Sequence, residues 1–177
     1  MTCWKKDKKW SDKYFPEIKR ALGEYLICEP ENFNEDRERN TDLTVFELQA
    51  VRIACRIRKD NYREKYCHEF TIRSDRPTGR ETELAKIIRG WGNYLFYGFA
   101  DESKLTQWFI GDLNAFRIWH SRELARNKGA PPGVAHNNFD GSSDFRSYEK
   151  GIIPGFIVAE RGYDCPQTII DGLKVAV

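Results

Sequence analysis

Polar and apolar positions along this chain follow two periods, and the switches between them mark out its elements. Over 51–58 the period is two, with Val51, Ile53, Cys55 and Ile57 alternating with Arg52, Ala54, Arg56 and Arg58. Over 69–73 it is two again, with Phe70 and Ile72 set against Glu69, Thr71 and Arg73. Successive strand side chains point to opposite faces, so each segment predicts a strand with one apolar and one charged or polar face. If the two pair in one sheet, they lay arginines, a carboxylate and a hydroxyl on a common surface. A further strand is predicted over 43–48, opened by Thr41-Asp42-Leu43.

Elsewhere the spacing is helical. Ile18, Leu22, Tyr25 and Leu26 form one apolar stripe, with Ser11 as a cap, Pro16 in the first turn and Glu29-Pro30 as the stop. Glu17 and Glu24, seven apart, fall on one face of that helix. Residues 31–40 are polar and read as a surface loop. Pro77 and Gly79 mark a turn from which Arg76 and Arg80 project. Thr82 caps a helix over 82–91 whose apolar face is Leu84, Ile87, Ile88 and Trp91, closed by Gly90 and Gly92. The nearly continuous apolar run over 94–100 has the pattern of a centrally buried strand. A strand over 108–113 follows, then a helix from Asn114 to about Arg126 with Phe116, Trp119 and Leu124 inward.

The expected fold is mixed α/β (α+β). A single small mixed sheet is flanked by helices in the order helix-strand-strand-strand-helix-strand-strand-helix. The 82–91 helix acts as a parallel crossover that brings 94–100 into that sheet. Residues 1–10 form a basic arm, 11–128 the core domain, and 129–177 a loop-rich extension packed on it, with short strands over 145–148 and 155–159.

Composition narrows the chemistry. In 177 residues, 29 basic and 27 acidic side chains nearly cancel, so nucleic-acid binding needs a local patch rather than a global basic field. Aromatic residues at 14% argue against disorder. Cys3, Cys28, Cys55, Cys67 and Cys165 are scattered and contain no Cys-x-x-Cys pair, which predicts reduced thiols rather than a zinc site or disulfide framework. Lys5, Lys6, Lys8 and Lys9 precede no apolar run, so neither a signal peptide nor a membrane span is expected, and the predicted location is cytoplasmic. His68, His120 and His136 form no His-x-x-x-His pair, and no P-loop, dinucleotide fingerprint or zinc finger is present.

Helix, three-stranded meander, helix, strand, with Thr41-Asp42 at a strand start and Glu69-Phe70-Thr71 on a later strand, resembles the core of the restriction-endonuclease-like PD-(D/E)xK nucleases. The resemblance covers roughly residues 14 to 126. It implies a metal-dependent nuclease that hydrolyses phosphodiester bonds in DNA or RNA. Asp42 and Glu69 would hold magnesium, with Glu24 as a first-helix carboxylate. The family's lysine position falls on Thr71, which cannot do a lysine's electrostatic work; Arg73 or Lys86 would have to substitute. Glu47-Leu48-Gln49 resembles a variant of the motif, but on one strand Asp42 and Glu47 lie roughly 16 Å apart on opposite faces.

Independently of the resemblance, Arg52, Arg56, Arg58, Arg73, Arg76, Arg80 and Lys86 provide a phosphate-binding surface, since guanidinium groups grip phosphate bidentately. Plainer alternatives stand beside each assignment. The arginines can pair with Glu64, Glu69 or Glu83 on a solvated sheet face, Asp42 can form a turn, and Trp91, Trp108 and Trp119 can be core. Three functions are therefore carried forward. One is a magnesium-dependent nuclease using Asp42, Glu69, Thr71 and Arg73. Another is a non-catalytic member of the same fold that binds nucleic acid, a nucleotide or a partner protein through the arginine face. The third is a small phage-like assembly protein using its aromatic C-terminal part.

Overall fold

The computed structural model describes residues 3–26, 51–138, 141 and 143–162. The predicted strand over 43–48, with Asp42 and Glu47, lies outside the described residues, as does the side chain of Glu24. Helices α1 (Cys3–Asp12) and α2 (Phe15–Leu26) come first. They are followed by β1 (Ile53–Lys59), a 3-10 turn, the short α3 (Arg63–Tyr66), β2 (Glu69–Asp75) and α4 (Glu83–Ile88). Next come β3 (Tyr94–Ala100), β4 (Leu105–Asp112), α5 (Leu113–Arg126), β5 (Val134–Asn137), β6 (Asp144–Glu149) and β7 (Ile157–Arg161). Content is mixed α+β, as the two periods predict. The segment expected as a basic arm is helical.

The strands divide between two sheets rather than forming one. The first is mixed, in the order β1-β3-β4-β7; the second is antiparallel, in the order β2-β6-β5. The apolar run of β3 explains the division. Both of its faces must leave water, so it takes an interior place between β1, which it pairs in parallel, and β4, which it pairs antiparallel. The strand that β3 joins across the α4 connection is therefore β1 and not β2. β2 finds its partner much later, pairing Phe70 with Tyr148 and Ile72 with Arg146 of β6. The 51–58 and 69–73 segments thus do not pair with each other.

Two cores sit on the two faces of the first sheet. On one, Phe96, Trp108 and Ile110 pack against Tyr14, Ile18 and Ala21 at α2. On the other, Leu95, Tyr97, Phe99 and Phe109 meet Phe70 and Ile72 of β2, Tyr148 of β6, and Phe116 of α5. Phe70, fully buried, is the hub of that second core. Its ring packs at 4.8 Å from Phe156 and 5.4 Å from Tyr148, with Tyr97, Phe109 and Phe116 edge-on around it. Gly111 makes this possible, because a Cβ there would run into the Phe156 ring.

Of the three predicted helix caps one holds: Ser11 lies inside α1 and its hydroxyl donates to the Lys8 carbonyl, so it does not cap α2. Thr82 caps α4 by accepting from the Ala85 N–H, as expected. Asp112, rather than Asn114, caps α5 by accepting from the N–H groups of Asn114 and Ala115. Strand β4 starts three positions ahead of the predicted 108, at Leu105. Trp108 is buried and Trp119 packs against the core, but Trp91 is 58% exposed. The thiols also depart from expectation: Cys67 is disulfide-bonded and buried, and Cys55 is free. Among the described residues no helix is long and apolar enough to cross a membrane.

Phe70→Ala should cost about 3–5 kcal/mol in urea denaturation, the range for removing a buried aromatic ring. A second prediction concerns pH. Burial, and then the positive charge of Arg146, hold the His120 imidazole below its ordinary value of 6.5. The folded state thus prefers neutral His120, whereas the unfolded chain takes up a proton below 6.5. Stability should fall as pH drops below that value, and the melting temperature of His120→Gln should fall less between neutral and mildly acid pH.

Candidate anion-binding site

Arg56 leaves β1 on the face that looks toward the second sheet, because its neighbours Ile53 and Ile57 take the opposite face against the α2 core. Its guanidinium donates to the Thr71 carbonyl oxygen at 2.7 Å and to Thr71 Oγ1 at 3.0 Å on β2. It also donates to Glu83 Oε2 of α4 at 3.1 Å. The same Glu83 oxygen accepts from the Arg73 N–H at 3.3 Å, and Thr71 Oγ1 lies 3.3 Å from Tyr97 Oη on β3. One arginine thus ties the edge strand of the first sheet to β2 and to the first turn of α4. The common surface expected from pairing of the two strands does not form: packing between two sheets brings Arg56 to the Thr71 hydroxyl, and the Glu69 carboxylate is not part of it.

Beside this link is a cavity of about 280 Å³. Arg56, Arg58 and Arg73 line it together with Thr71, Asn138 and Ser143. Arg58 is steadied by the rings of Tyr62 and Tyr66, with its guanidinium carbon 4.8 and 5.3 Å from their centroids. The Asn138 amide donates to Ser143 Oγ at 2.8 Å, closing the rim opposite the arginines. Guanidinium groups stay charged at all ordinary pH values. Among the described residues, the charged side chains that line this cavity are these three arginines, of which Arg56 is held by Glu83.

A second cavity of about 320 Å³ is lined by a different set of residues. Ala54, Ile87, Leu113 and Trp91 give it apolar walls, and Arg52, Arg76 and Lys86 rim it. Glu81 and Glu83 also border it, but each already holds an arginine: Arg89 at 2.5 Å and Arg56 at 3.1 Å. The Arg52 guanidinium lies 5.8 Å from the Trp91 ring centroid. Along the chain at β1 the second cavity takes residues 52–54 and the first takes residues 56–58.

The predicted site residues therefore fall into three groups. Arg56, Arg58, Thr71 and Arg73 meet in the first cavity, while Arg52, Lys86 and Arg76 border the second. Arg80 is exposed and lines neither. Glu69 is outside both and sits 3.4 Å from His68 Nε2, so its neighbour is a histidine rather than an arginine. Asp42 and the Glu24 side chain lie outside the described residues, and among those residues no group of three His, Cys, Asp or Glu side chains is placed to hold a metal. Glu69 on its own does not make a magnesium site. Sequence reasoning missed Asn138 and Ser143, which enter from a loop with no motif of its own. It also missed Glu83 as the clamp on Arg56, having named it only as one of three carboxylates available to the arginines. A scan against protein-family models and searches of curated proteins and of solved structures returned no match.

The Arg56–Glu83 pair is about one-quarter exposed on each side. A double-mutant cycle of Arg56→Ala and Glu83→Ala, read by chemical denaturation, should give a coupling energy of about 1 kcal/mol, above the median for exposed pairs.

Proposed function

We propose that this protein binds the phosphate groups of DNA or RNA in the cavity formed by Arg56, Arg58 and Arg73, without cutting the backbone. The observation that carries this reading is the convergence of three guanidinium groups from two different sheets on one cavity whose remaining polar lining is hydroxyl and amide. Bidentate guanidinium donors match the paired oxygens of a phosphodiester. A cavity lined by several arginines suits the phosphates of a polyanion.

Binding is preferred to hydrolysis for a local reason. At the position where the nuclease resemblance calls for lysine, the Thr71 hydroxyl is bonded to Arg56 and lies beside Tyr97, so it belongs to the link between the sheets. Assembly through C-terminal aromatics is less favoured, because Tyr148 and Phe156 are spent in the core. A nucleic-acid partner fits a cytoplasmic location; the Cys67 disulfide, unusual in a reducing compartment, counts against it.

The test is fluorescence anisotropy with a labelled oligonucleotide at low and near-physiological salt. Affinity should fall steeply with salt, and Arg58→Ala or Arg73→Ala should each flatten the plot of log K against log salt by about 0.7–0.9. No binding at low salt would end the proposal. Magnesium-dependent cleavage abolished by Asp42→Ala would replace it with the nuclease reading.

A further inference from the structure

The second cavity has no part in phosphate binding by the first, and its lining is of a different kind. Ile87 and Leu113 bring core side chains to it, and Trp91 lines it while 58% exposed. Leaving so large an apolar side chain this far in water forgoes much of the free energy of burying it. Trp91 is nonetheless presented by a loop that is tied down. Its N–H donates to the Lys86 carbonyl oxygen at 3.0 Å. Arg117 donates to the Gly92 carbonyl oxygen at 3.2 Å, and the Asn93 side chain accepts from the Arg52 N–H at 2.8 Å. Gly90 and Gly92 take the positive φ values, 98° and 81°, that let the chain turn on both sides of Trp91. The Arg52 guanidinium, also in the lining, sits over the indole at 5.8 Å from its centroid. The cavity is therefore preformed, and its 320 Å³ falls at the small end of the range for organic-ligand sites, about 300–1,000 Å³.

We infer that this second cavity is a binding site for a small aromatic carboxylate, with its ring against Trp91 and its anionic group met by Arg76 and Lys86. The inference does not rest on phosphate binding, because the two cavities share no lining residue. Charge gives the sign of the ligand. Arg76 and Lys86 line the cavity and have no ion-pair partner among the described residues. The two carboxylates in the lining, Glu81 and Glu83, already hold Arg89 and Arg56. An anion thus meets cations with charge to offer, whereas a cationic ligand would have to displace an arginine from its carboxylate. The wall gives the shape, since a flat ring packs on an indole better than a puckered group of equal area. What the lining lacks sets the class. Among the described residues, no hydroxyl or amide side chain lines this cavity. The hydroxyls of a sugar or the edge of a base would find no neutral side-chain partner there, and polar groups buried unpaired cost affinity. A ligand whose one polar group is its carboxylate has no such loss.

The experiment titrates the full chain at low salt with benzoate, benzamide, cyclohexanecarboxylate and thymidine monophosphate, following backbone and indole N–H signals by NMR. The Trp91 indole signal is assigned by its loss in Trp91→Phe. Benzoate should shift that signal saturably in the millimolar range. It should bind about tenfold tighter than benzamide, the scale of one charge-assisted hydrogen bond, and a few-fold tighter than cyclohexanecarboxylate. Trp91→Ala should weaken benzoate several-fold, with Trp91→Phe restoring most of the loss. Lys86→Gln and Arg76→Gln should each shrink the preference for benzoate over benzamide while leaving benzamide itself unchanged. Circular dichroism checks that each variant folds, and the exposed position of Lys86 makes its variant the safest. Arg58→Ala should leave benzoate binding as it is. The inference is overturned if benzoate does not bind, if benzamide or cyclohexanecarboxylate binds as tightly, or if thymidine monophosphate binds more tightly at Trp91. It is also overturned if Arg58→Ala weakens benzoate as much as Lys86→Gln does, which would put the acid in the first cavity. None of these results bears on the salt dependence of oligonucleotide binding, so the two readings stand or fall separately.

Discussion

Strand β3 is apolar along nearly its whole length, and both of its faces have to be covered. That requirement organises the molecule. It places β3 in the interior of the first sheet and draws α2 onto one face. The other face is covered by aromatic side chains of β2, β6 and α5 around Phe70. It also sends β1 to the edge of that sheet, where one side of the strand is left for charged residues. The arginines of β1 lie at a margin because the centre is occupied.

At that margin Arg56 joins the layers. Its bonds to Thr71 and Glu83 convert a loose meeting of two sheet edges into a fixed one. Arg58, on the same face of β1, is steadied by the rings of Tyr62 and Tyr66. A phosphate bound as proposed would meet donors that are partly preorganised and would expend less binding free energy on ordering long side chains. Glu83 has two roles, as the carboxylate in the first turn of a helix capped by Thr82 and as the partner that orients Arg56. It also lines the apolar cavity.

Much of this was readable in the sequence, and the failures have specific physical causes. The alternation over 51–58 and 69–73 correctly set Arg56, Arg58, Thr71 and Arg73 on polar faces, since period two is a property of the strand itself. The shared sheet did not follow, because pairing depends on which strand competes best for an edge, and β6, more than seventy positions further on, was the better partner for β2. Trp91 read as core from its helical spacing, yet α4 ends at Ile88 and leaves it beyond the last turn. The thiol of Cys67 could not be assigned from spacing, because a disulfide depends on proximity in space rather than on sequence separation.

The sequence by itself determined the local elements: the strand periods, the Thr82 cap, the buried character of β3 and the side of β1 that carries arginine. These depend on neighbours a few positions apart, whose relative directions are fixed by backbone geometry. Only the tertiary structure decided that the strands split into two sheets and that Arg56, Arg58 and Arg73 converge. It also decided that Asn138 and Ser143 line that cavity with them and that Trp91 lines a separate, more apolar one. Those arrangements come from competition among distant segments for a limited interior, which local pattern does not encode.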